Sequence, residues 1–198
     1  MQQDWTGNKH SIHALIHKGD STQREANDYY ATSPDAIDRL AASYDIPPLV
    51  WEPACGTGHL SSRLIDLGHT LFSSDIIDRG YGHTADFLST CLTPFHAAPN
   101  QCILTNPPYR YATEFILHAL DVLPVGSPAI FLLRTTFLES KSRYDKIYSK
   151  GYLHAVYQFT SRIDCAINGD FSHANSAVPY AWFIFSKNQY TNPQIRWI

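Results

Sequence analysis

The sequence has no long apolar run, only four cysteines and a single methionine. No stretch approaches the roughly 20 consecutive apolar residues that a membrane-spanning helix needs, and the polar N-terminus carries no secretory h-region. The cysteines form no C-x-x-C pair, which argues against a zinc site and against a disulfide framework. These absences lead us to expect a chain that works in a reducing cytoplasm, without a metal and without membrane contact.

A general basic excess is also missing, because the formal net charge is −3. The charge is unevenly spread: residues 1–133 hold 7 Lys and Arg against 14 Asp and Glu, whereas residues 134–198 hold 8 against 4. The C-terminal excess concentrates in Arg134, Lys141, Arg143, Lys146, Lys150 and Arg162. Such a set is either a phosphate-facing edge or an ordinary solvated helix surface, and the sequence leaves both open.

The chain does have enough apolar sequence for one sizeable core, since 44% of its 198 residues are hydrophobic. It is short for two domains. Residues 1–28 are polar and lack apolar periodicity, so we expect a poorly ordered arm. Residues 29–198 are then a single domain.

Apolar runs alternate with amphipathic segments through this domain. We predict helices near 33–44, 58–67, 111–122 and 140–149. We predict strands at 48–52, 70–75, near 83–86, 101–105, 128–134, 153–158 and 178–186, with a loop at 160–177. Strands that alternate with helices predict a doubly wound, mostly parallel α/β sheet.

The most informative motif is Asn106-Pro107-Pro108-Tyr109, which follows the apolar run of a predicted strand. The ends of parallel strands are where open α/β sheets bind their ligands. Two consecutive prolines fix two φ angles and remove two backbone N–H donors, so the segment is stiff. The Asn oxygen and the Tyr ring would clamp a planar group that carries an NH₂. The same residues also occur in ordinary turns.

A second motif lies at residues 52–58, between a predicted strand and a predicted helix. Strand, glycine turn and helix together let backbone N–H groups approach a ligand closely. Gly56 and Gly58 are followed by neither a third glycine nor a Lys-Ser/Thr pair, so the motif is neither a dinucleotide fingerprint nor a P-loop. Alone it would be weak evidence, but with the tetrapeptide downstream it gains weight.

With both motifs the chain resembles the S-adenosylmethionine-dependent amino methyltransferases, specifically the adenine-N6 DNA enzymes. The resemblance runs from about Tyr29 to the C-terminus and is closest to the small stand-alone enzymes of phages and prophages. The shared segments are Asp28 to Pro34, Glu52 to Gly56, Asp78 to Gly82, Arg134-x-x-Phe137-Leu138-Glu139 and Tyr180 to Phe183. The resemblance implies a Rossmann-like sheet of seven strands whose last strand is antiparallel.

The cofactor that the resemblance implies is S-adenosylmethionine. Asp75, followed by Ile76 at a strand end, is expected to accept from both ribose hydroxyls; the alternative is a helix N-cap. Asp86 is expected to accept from the adenine amine of the cofactor while the Phe87 ring covers that adenine. The alternative for this pair is a turn that ends a strand.

Thr32 matches the family's contact to the methionine carboxylate, although Thr-x-Pro is equally a helix start. The other cofactor contacts implied by the resemblance are Tyr30, Glu52, Ala54, Cys55, Gly56, Gly58 and Asn106. We interpret Cys55 as a small packing residue, because no base is expected beside it to make it a nucleophile.

The implied reaction is methyl transfer from the cofactor sulfonium to the N6 amine of adenine in DNA, with Asn106, Pro107, Pro108 and Tyr109 as the catalytic segment. The Asn106 oxygen and the Pro107 carbonyl would each accept one amine N–H. The base must be flipped out of the duplex, with Tyr109 as a stacking face. Phe171 is expected to supply a second face, with His173 in reserve. The expected phosphate contacts are Arg134, Lys141, Arg143 and Arg110, although Arg110 could equally be an ordinary surface residue.

Other functions stay open at this point. Release-factor glutamine methyltransferases use the same tetrapeptide, but they usually carry an N-terminal helical domain for which the arm leaves no room. Adenine in RNA, a catalytically idle scaffold and, less favoured, cytosine-N4 methylation are further alternatives. No segment matches a target-recognition domain. Specificity is therefore expected from the arm, the loop after Arg134, the 160–177 loop or a partner chain, and the oligomeric state is not predicted.

Overall fold

The bounds of the helices and of most strands lie close to the predicted segments. The computed structural model describes residues 30–96, 98–163, 165–167 and 178–198. Their strands are β1 (Tyr30–Thr32), β2 (Leu49–Glu52), β3 (Thr70–Asp75), β4 (His83–Thr84), β5 (Gln101–Thr105), β6 (Ala129–Arg134), β7 (Leu153–Gln158), β8 (Cys165–Ile167), β9 (Tyr180–Phe185) and β10 (Gln194–Trp197). Their α-helices are α1 (Asp35–Ala41), α2 (His59–Asp66), α3 (Ala112–Val122) and α4 (Lys141–Lys146). No helix in these ranges is long and apolar enough to cross a membrane.

The main sheet has eight described strands in the order β10-β7-β9-β6-β5-β2-β3-β4. All neighbours are parallel except β9, which runs antiparallel to both β6 and β7. The predicted mostly parallel α/β sheet is confirmed, and β9, which corresponds to the strand predicted as last, is antiparallel as expected. The strand count differs from the expected seven because β10 adds an edge strand after β9. Its four residues are all exposed, and the apolar-polar alternation of Gln194 to Trp197 was overlooked in the sequence.

A separate two-stranded sheet joins the start of the domain to the segment after β7. β1 pairs antiparallel with β8, with Thr32 opposite Cys165. The sequence predicted a plain loop at 160–177, so a strand there is a correction. A three-residue strand depends on its distant partner and leaves little periodicity to detect.

Both faces of the main sheet are covered, which explains why β5, β6 and β9 are buried along almost their whole length. One face packs Trp51, Ile103, Phe131 and Phe183 against Phe115 and Ile116 of α3. The other packs Val50, Leu104, Ile130 and Trp182 against Ile37 of α1 and Leu64 of α2. The core therefore holds the strand ends in fixed positions.

The order in which the chain adds strands to the sheet reverses at β2. From β2 the chain adds β3 and β4 on one side, then crosses to place β5 and β6 on the other. Ligands of open α/β sheets bind in the crevice outside the carboxyl ends of strands at such a reversal. Glu52 ends β2 and Thr105 ends β5, so the glycine turn and the tetrapeptide both open into this crevice.

Candidate active site

The turn between β2 and α2 depends on two glycines in the left-handed region. Gly56 has φ +55° and Gly58, which caps α2, has φ +85°. A Cβ added to Gly58 would come within 2.5–2.6 Å of three atoms of the Tyr81 ring. The turn is closed by the Gly58 N–H, which donates to the Cys55 carbonyl at 2.8 Å. Glycine is thus required at position 58 both by the backbone and by the ring above it.

Asp75 ties this turn to the end of β3. Its Oδ2 accepts from the Gly56 N–H at 2.8 Å and its Oδ1 accepts from the Ile77 N–H at 3.0 Å. No helix follows Asp75 in the described residues 76–82, so the helix N-cap alternative is wrong. Each carboxylate oxygen can accept a further hydrogen bond, and Ile76 beside it is half-buried. The ribose contact stays a prediction, now with a second role for Asp75 as a brace of the turn.

Glu52 lies beneath the turn. It is 2% exposed, and its Oε2 accepts from the hydroxyl of Ser61 on α2. The same hydroxyl is hydrogen-bonded to Ser73 on β3. Burial, and to a smaller extent the charge of Asp75, raises the pKa of the Glu52 carboxyl to about 8. Glu52 therefore connects β2, α2 and β3, and a direct contact with a cofactor stays a prediction.

Cys55 and Ala54 fill the inner side of the turn. The Cys55 side chain is 5% exposed and its Sγ lies 3.7 Å from the Tyr81 carbonyl oxygen. Burial, followed by the nearby carboxylates Glu52 and Asp75, raises the pKa of this thiol to about 12. A thiol in that state is a poor nucleophile at neutral pH, in line with a packing role. Ala54 is half-buried against the core.

Asn106 stands directly after β5, at the mouth of the crevice. Its side-chain Nδ2 donates to the hydroxyl of Thr32 at 2.9 Å, and Thr32 is 2% exposed at the end of β1. Because the nitrogen of the amide is engaged with Thr32, the oxygen of the same amide is turned away from it as an acceptor. Thr32 was expected to contact the cofactor carboxylate. The structure adds a contact to Asn106, and the cofactor contact stays a prediction.

Tyr109 forms a cluster with Tyr180 and Arg134, on the same side of the sheet as Asn106. Its ring stacks with the Tyr180 ring at 5.8 Å and 29°. The guanidinium of Arg134 lies over the Tyr109 ring, 4.9 Å from its centroid, and Arg134 is opposite Tyr180 in the β6–β9 pairing. Arg110, the next residue, is exposed. The stiff segment thus presents Tyr109 between two neighbouring strand ends.

No family model matches the chain, and no curated protein matches it. A protein of Listeria monocytogenes assigned as a class I S-adenosylmethionine-dependent methyltransferase superposes with a TM-score of 0.60 at 13% identity, over 94% of this chain and 71% of that one. A protein of Pyrococcus horikoshii assigned as an RNA methyltransferase gives 0.56 at 14% identity, over 87% and 94%. A protein of Vibrio vulnificus YJ016 assigned as the modification subunit of a type I restriction enzyme gives 0.54 at 13% identity, over 94% and 49%. The chain has the class I methyltransferase fold.

The residues around the crevice fit the nucleoside cofactor that the methyltransferase fold implies. Asp75 accepts from the Gly56 and Ile77 amides and keeps acceptor capacity on both carboxylate oxygens. A carboxylate in this position suits the ribose hydroxyls of such a ligand. The N–H groups of Cys55, Gly56 and Gly58 already donate within the protein, so internal contacts set the shape of the glycine turn.

Phe87 does not take the place predicted for it in the cofactor site. Its ring is 2% exposed and packs edge-to-face with Trp51 at 5.1 Å and against Phe115 at 4.9 Å. A ring enclosed in this way has no face left to cover the cofactor adenine. Asp86 accepts from the Leu88 N–H at 3.1 Å and from the Ser89 hydroxyl at 2.8 Å. The pair thus forms a strand-ending turn, and an amine contact by Asp86 stays a prediction.

Arg143 of the basic helix α4 has a structural role that the sequence did not predict. Its guanidinium donates to the backbone carbonyls of Thr136, Phe137 and Glu139 at 2.6–3.3 Å. These bonds fix the turn after β6, and the phosphate contact of Arg143 stays a prediction. Lys141 pairs with Asp145 at 2.5 Å in an exposed ion pair, which offsets its charge.

Sequence reasoning missed Tyr81 and Ser61, the residues that pack on and under the turn. Tyr81 lies between Gly80 and Gly82, both with positive φ, and a Gly-x-Gly segment of this kind is a recognisable turn signal. Ser61 has no such signal, because its partner Glu52 lies on another element. Phe171 and His173 lie outside the described residues. Tyr30 pairs with Ile167 of β8, and its contact with the cofactor stays a prediction.

Proposed function

We propose that this protein transfers a methyl group from S-adenosylmethionine to the N6 amine of adenine in DNA. One observation carries the proposal. The Asn106 amide is held by Thr32 at 2.9 Å, directly after β5 and at the crevice shared with the glycine turn. A fixed amide oxygen in that place can accept a hydrogen bond from an amino group whose neighbour is the cofactor.

The cofactor would be held by the backbone of residues 54–58, with Asp75 as acceptor for its ribose hydroxyls. When bound it supplies an electrophilic methyl group on a sulfonium. The carboxylate of Asp75 beside Gly56, at the point where the strand order reverses, supports this assignment. Cys55 contributes shape only, since its buried thiol has a raised pKa.

The chain's own part in the chemistry is positioning. An exocyclic adenine amine is a poor nucleophile because its lone pair is delocalised into the ring. Acceptance of one N–H by the Asn106 oxygen and of the other by the Pro107 carbonyl draws the nitrogen toward tetrahedral geometry without full deprotonation. Most of the acceleration then comes from orientation and preorganised dipoles.

Tyr109 is the proposed stacking partner of a nucleobase. Its ring is stacked with Tyr180 and covered by the Arg134 guanidinium, so a base would have to replace one of these contacts. A base inside a duplex must be flipped out to be methylated, and an aromatic ring gives it a sequence-independent stacking partner. The likeness to a protein assigned as a restriction modification subunit supports DNA. The likeness to a protein assigned as an RNA methyltransferase makes RNA the alternative that the test must separate.

The test is methyl transfer from tritiated cofactor to duplex DNA, single-stranded DNA, RNA and a glutamine-containing peptide, followed by nucleoside or amino-acid analysis. We expect N6-methyladenine in DNA. Asn106→Ala is the control: it should bind cofactor within a few-fold of the wild type by calorimetry, yet lose on the order of 10²-fold in turnover. Labelled glutamine with unlabelled nucleic acid would contradict the proposal, as would full turnover by Asn106→Ala.

A further inference from the structure

A cavity of about 230 Å³ lies beside the proposed site, lined by residues 158–163 and 179–180. It opens at the carboxyl end of β7. Both β6 and β7 run antiparallel to β9, and β6 is parallel to β5. The carboxyl end of β7 therefore lies on the same side of the sheet as Asn106, which follows the carboxyl end of β5. Tyr180, which lines the cavity, is also the ring that stacks with Tyr109. The cavity and the tetrapeptide are therefore direct neighbours.

The walls of the cavity are braced from several directions. Arg39 of α1 donates to the Ser161 hydroxyl at 2.6 Å and is itself paired with Asp35 at 2.7 Å. The Thr160 N–H donates to the Ile198 carbonyl at 2.7 Å, and the Gln158 side chain donates to the Tyr180 carbonyl at 3.2 Å. A site that is already held in place loses little conformational freedom on binding a ligand.

The lining combines apolar walls with one outward cation. Phe159 and Ile163 are buried, whereas Arg162 is exposed and has no ion pair with any described residue. Arg134 ends β6 and lies over the Tyr109 ring, and Arg110 directly follows Tyr109 after the neighbouring strand β5. Three arginines, Arg110, Arg134 and Arg162, thus lie at or shortly after the carboxyl ends of β5, β6 and β7. On α4, by contrast, Arg143 is engaged as a brace.

The size of the cavity limits what it can hold. Pockets for drug-sized ligands are typically about 300–1,000 Å³, so 230 Å³ suits one unit of a longer ligand. A guanidinium at the rim recognises phosphate. We propose that this cavity binds the nucleotide next to the target base in a single strand of nucleic acid, with Arg162 as its phosphate contact. This inference rests on the proposed function and names the path of the substrate strand.

A scan of single neutral phosphates tests the contact directly. A fluorescent single-stranded oligonucleotide with one adenine is made with a methylphosphonate at successive positions, and its binding is measured by anisotropy. For the wild type we expect one position flanking the adenine at which neutralisation weakens binding about tenfold, as for one lost charge-assisted contact. For Arg162→Gln the same position should show no further loss, because the two changes remove one interaction.

Lys150→Gln is the matched control, since Lys150 is also exposed and basic but lies beyond α4. It should respond to the phosphate scan as the wild type does. Against salt, Arg162→Gln should also flatten the slope of log K by about 0.7, the value for one phosphate of a single strand. The inference is overturned if Arg162→Gln and the methylphosphonates act additively at every position, or if Arg162→Gln and Lys150→Gln behave alike.

The outcome is separable from that of the proposed function. Coupling between Arg162 and one phosphate without any methyl transfer would support the cavity as a nucleic-acid subsite and reject the proposed activity. N6-methylation of DNA without such coupling would support the activity and reject the subsite. Binding of a peptide in place of every oligonucleotide would reject the subsite.

Discussion

Thr32 accepts a hydrogen bond from the side-chain amide of Asn106 at 2.9 Å. The pair joins β1, at the start of the described domain, to the end of a central strand of the sheet. The bond decides which end of the amide can act as an acceptor toward a substrate amine. Under the proposed function, Thr32 would therefore position the reacting group in addition to its predicted cofactor contact.

Removal of the Thr32 hydroxyl should lower turnover more than cofactor affinity. Thr32→Val keeps the shape of the side chain but leaves the Asn106 amide without this acceptor, a loss of roughly 1–3 kcal/mol. We expect kcat to fall by about tenfold or more while the cofactor Kd, measured by calorimetry, changes little. Thr32→Ser, which keeps a hydroxyl, should restore most of the activity. Weaker cofactor binding with an unchanged kcat would instead identify Thr32 as a direct cofactor contact.

Asp75→Asn should weaken cofactor binding. The substitution removes the negative charge and replaces one of the two carboxylate oxygens that accept from the Gly56 and Ile77 amides. A hydrogen bond to a charged group is worth about 1–3 kcal/mol. A cofactor analogue that lacks one ribose hydroxyl distinguishes the two roles of this residue. If Asp75 holds the ribose, the variant and the analogue should show non-additive losses, whereas a pure brace of the turn gives additive ones.

The raised pKa of the buried Glu52 carboxyl should make the free energy of unfolding depend on pH. This carboxyl has a pKa of about 8 in the folded protein against an ordinary value of 4.5, so the folded state binds the proton more tightly than the unfolded state. The stabilisation is therefore complete below the lower value and is lost as pH rises toward 8. Glu52→Gln keeps an acceptor for Ser61 without this titration. The Tm of the wild type should fall relative to Glu52→Gln across that interval, and a constant difference would contradict the assignment.

Gly58→Ala should destabilise the protein more than Gly68→Ala. Both glycines flank α2 with positive φ, +85° and +92°, but a Cβ at Gly58 meets the Tyr81 ring whereas one at Gly68 meets nothing within 4 Å. Strain alone costs about 1–2 kcal/mol, and the clash should add about 1–3 kcal/mol. Denaturant unfolding measures both, and Tyr81→Ala in the Gly58→Ala background should recover part of the difference. Equal losses at the two positions would exclude the packing role of Tyr81.

The sheet was predictable because its central strands are buried on both faces and are therefore apolar throughout. β5, β6 and β9 are short continuous runs of this kind, and the glycine turn and the tetrapeptide each follow such a run. The strand β10 was missed because only four residues, Gln194 to Trp197, alternate between polar and apolar, and all four are exposed. The β1–β8 pairing was missed because strands of three residues leave little periodicity to detect.

The individual side chains were harder to predict than the motifs. An arginine on a basic helix gives no sign that its donors will meet the carbonyls of the preceding turn, as those of Arg143 do. A phenylalanine after a strand can face either a ligand or the core, and Phe87 faces the core. These outcomes depend on contacts between distant segments, which a local pattern does not encode.

The β1–β8 pairing also bears on the order in which the protein becomes active during synthesis. The glycine turn and Asp75 come from the first half of the chain and are brought together by parallel pairing of β2 and β3. Thr32, by contrast, pairs with Cys165, so its strand has its partner only after most of the chain has been made. Contacts of such long sequence separation tend to form late. We therefore expect a nascent chain to form the glycine turn and its contact with Asp75 before the Asn106 amide is fixed by Thr32.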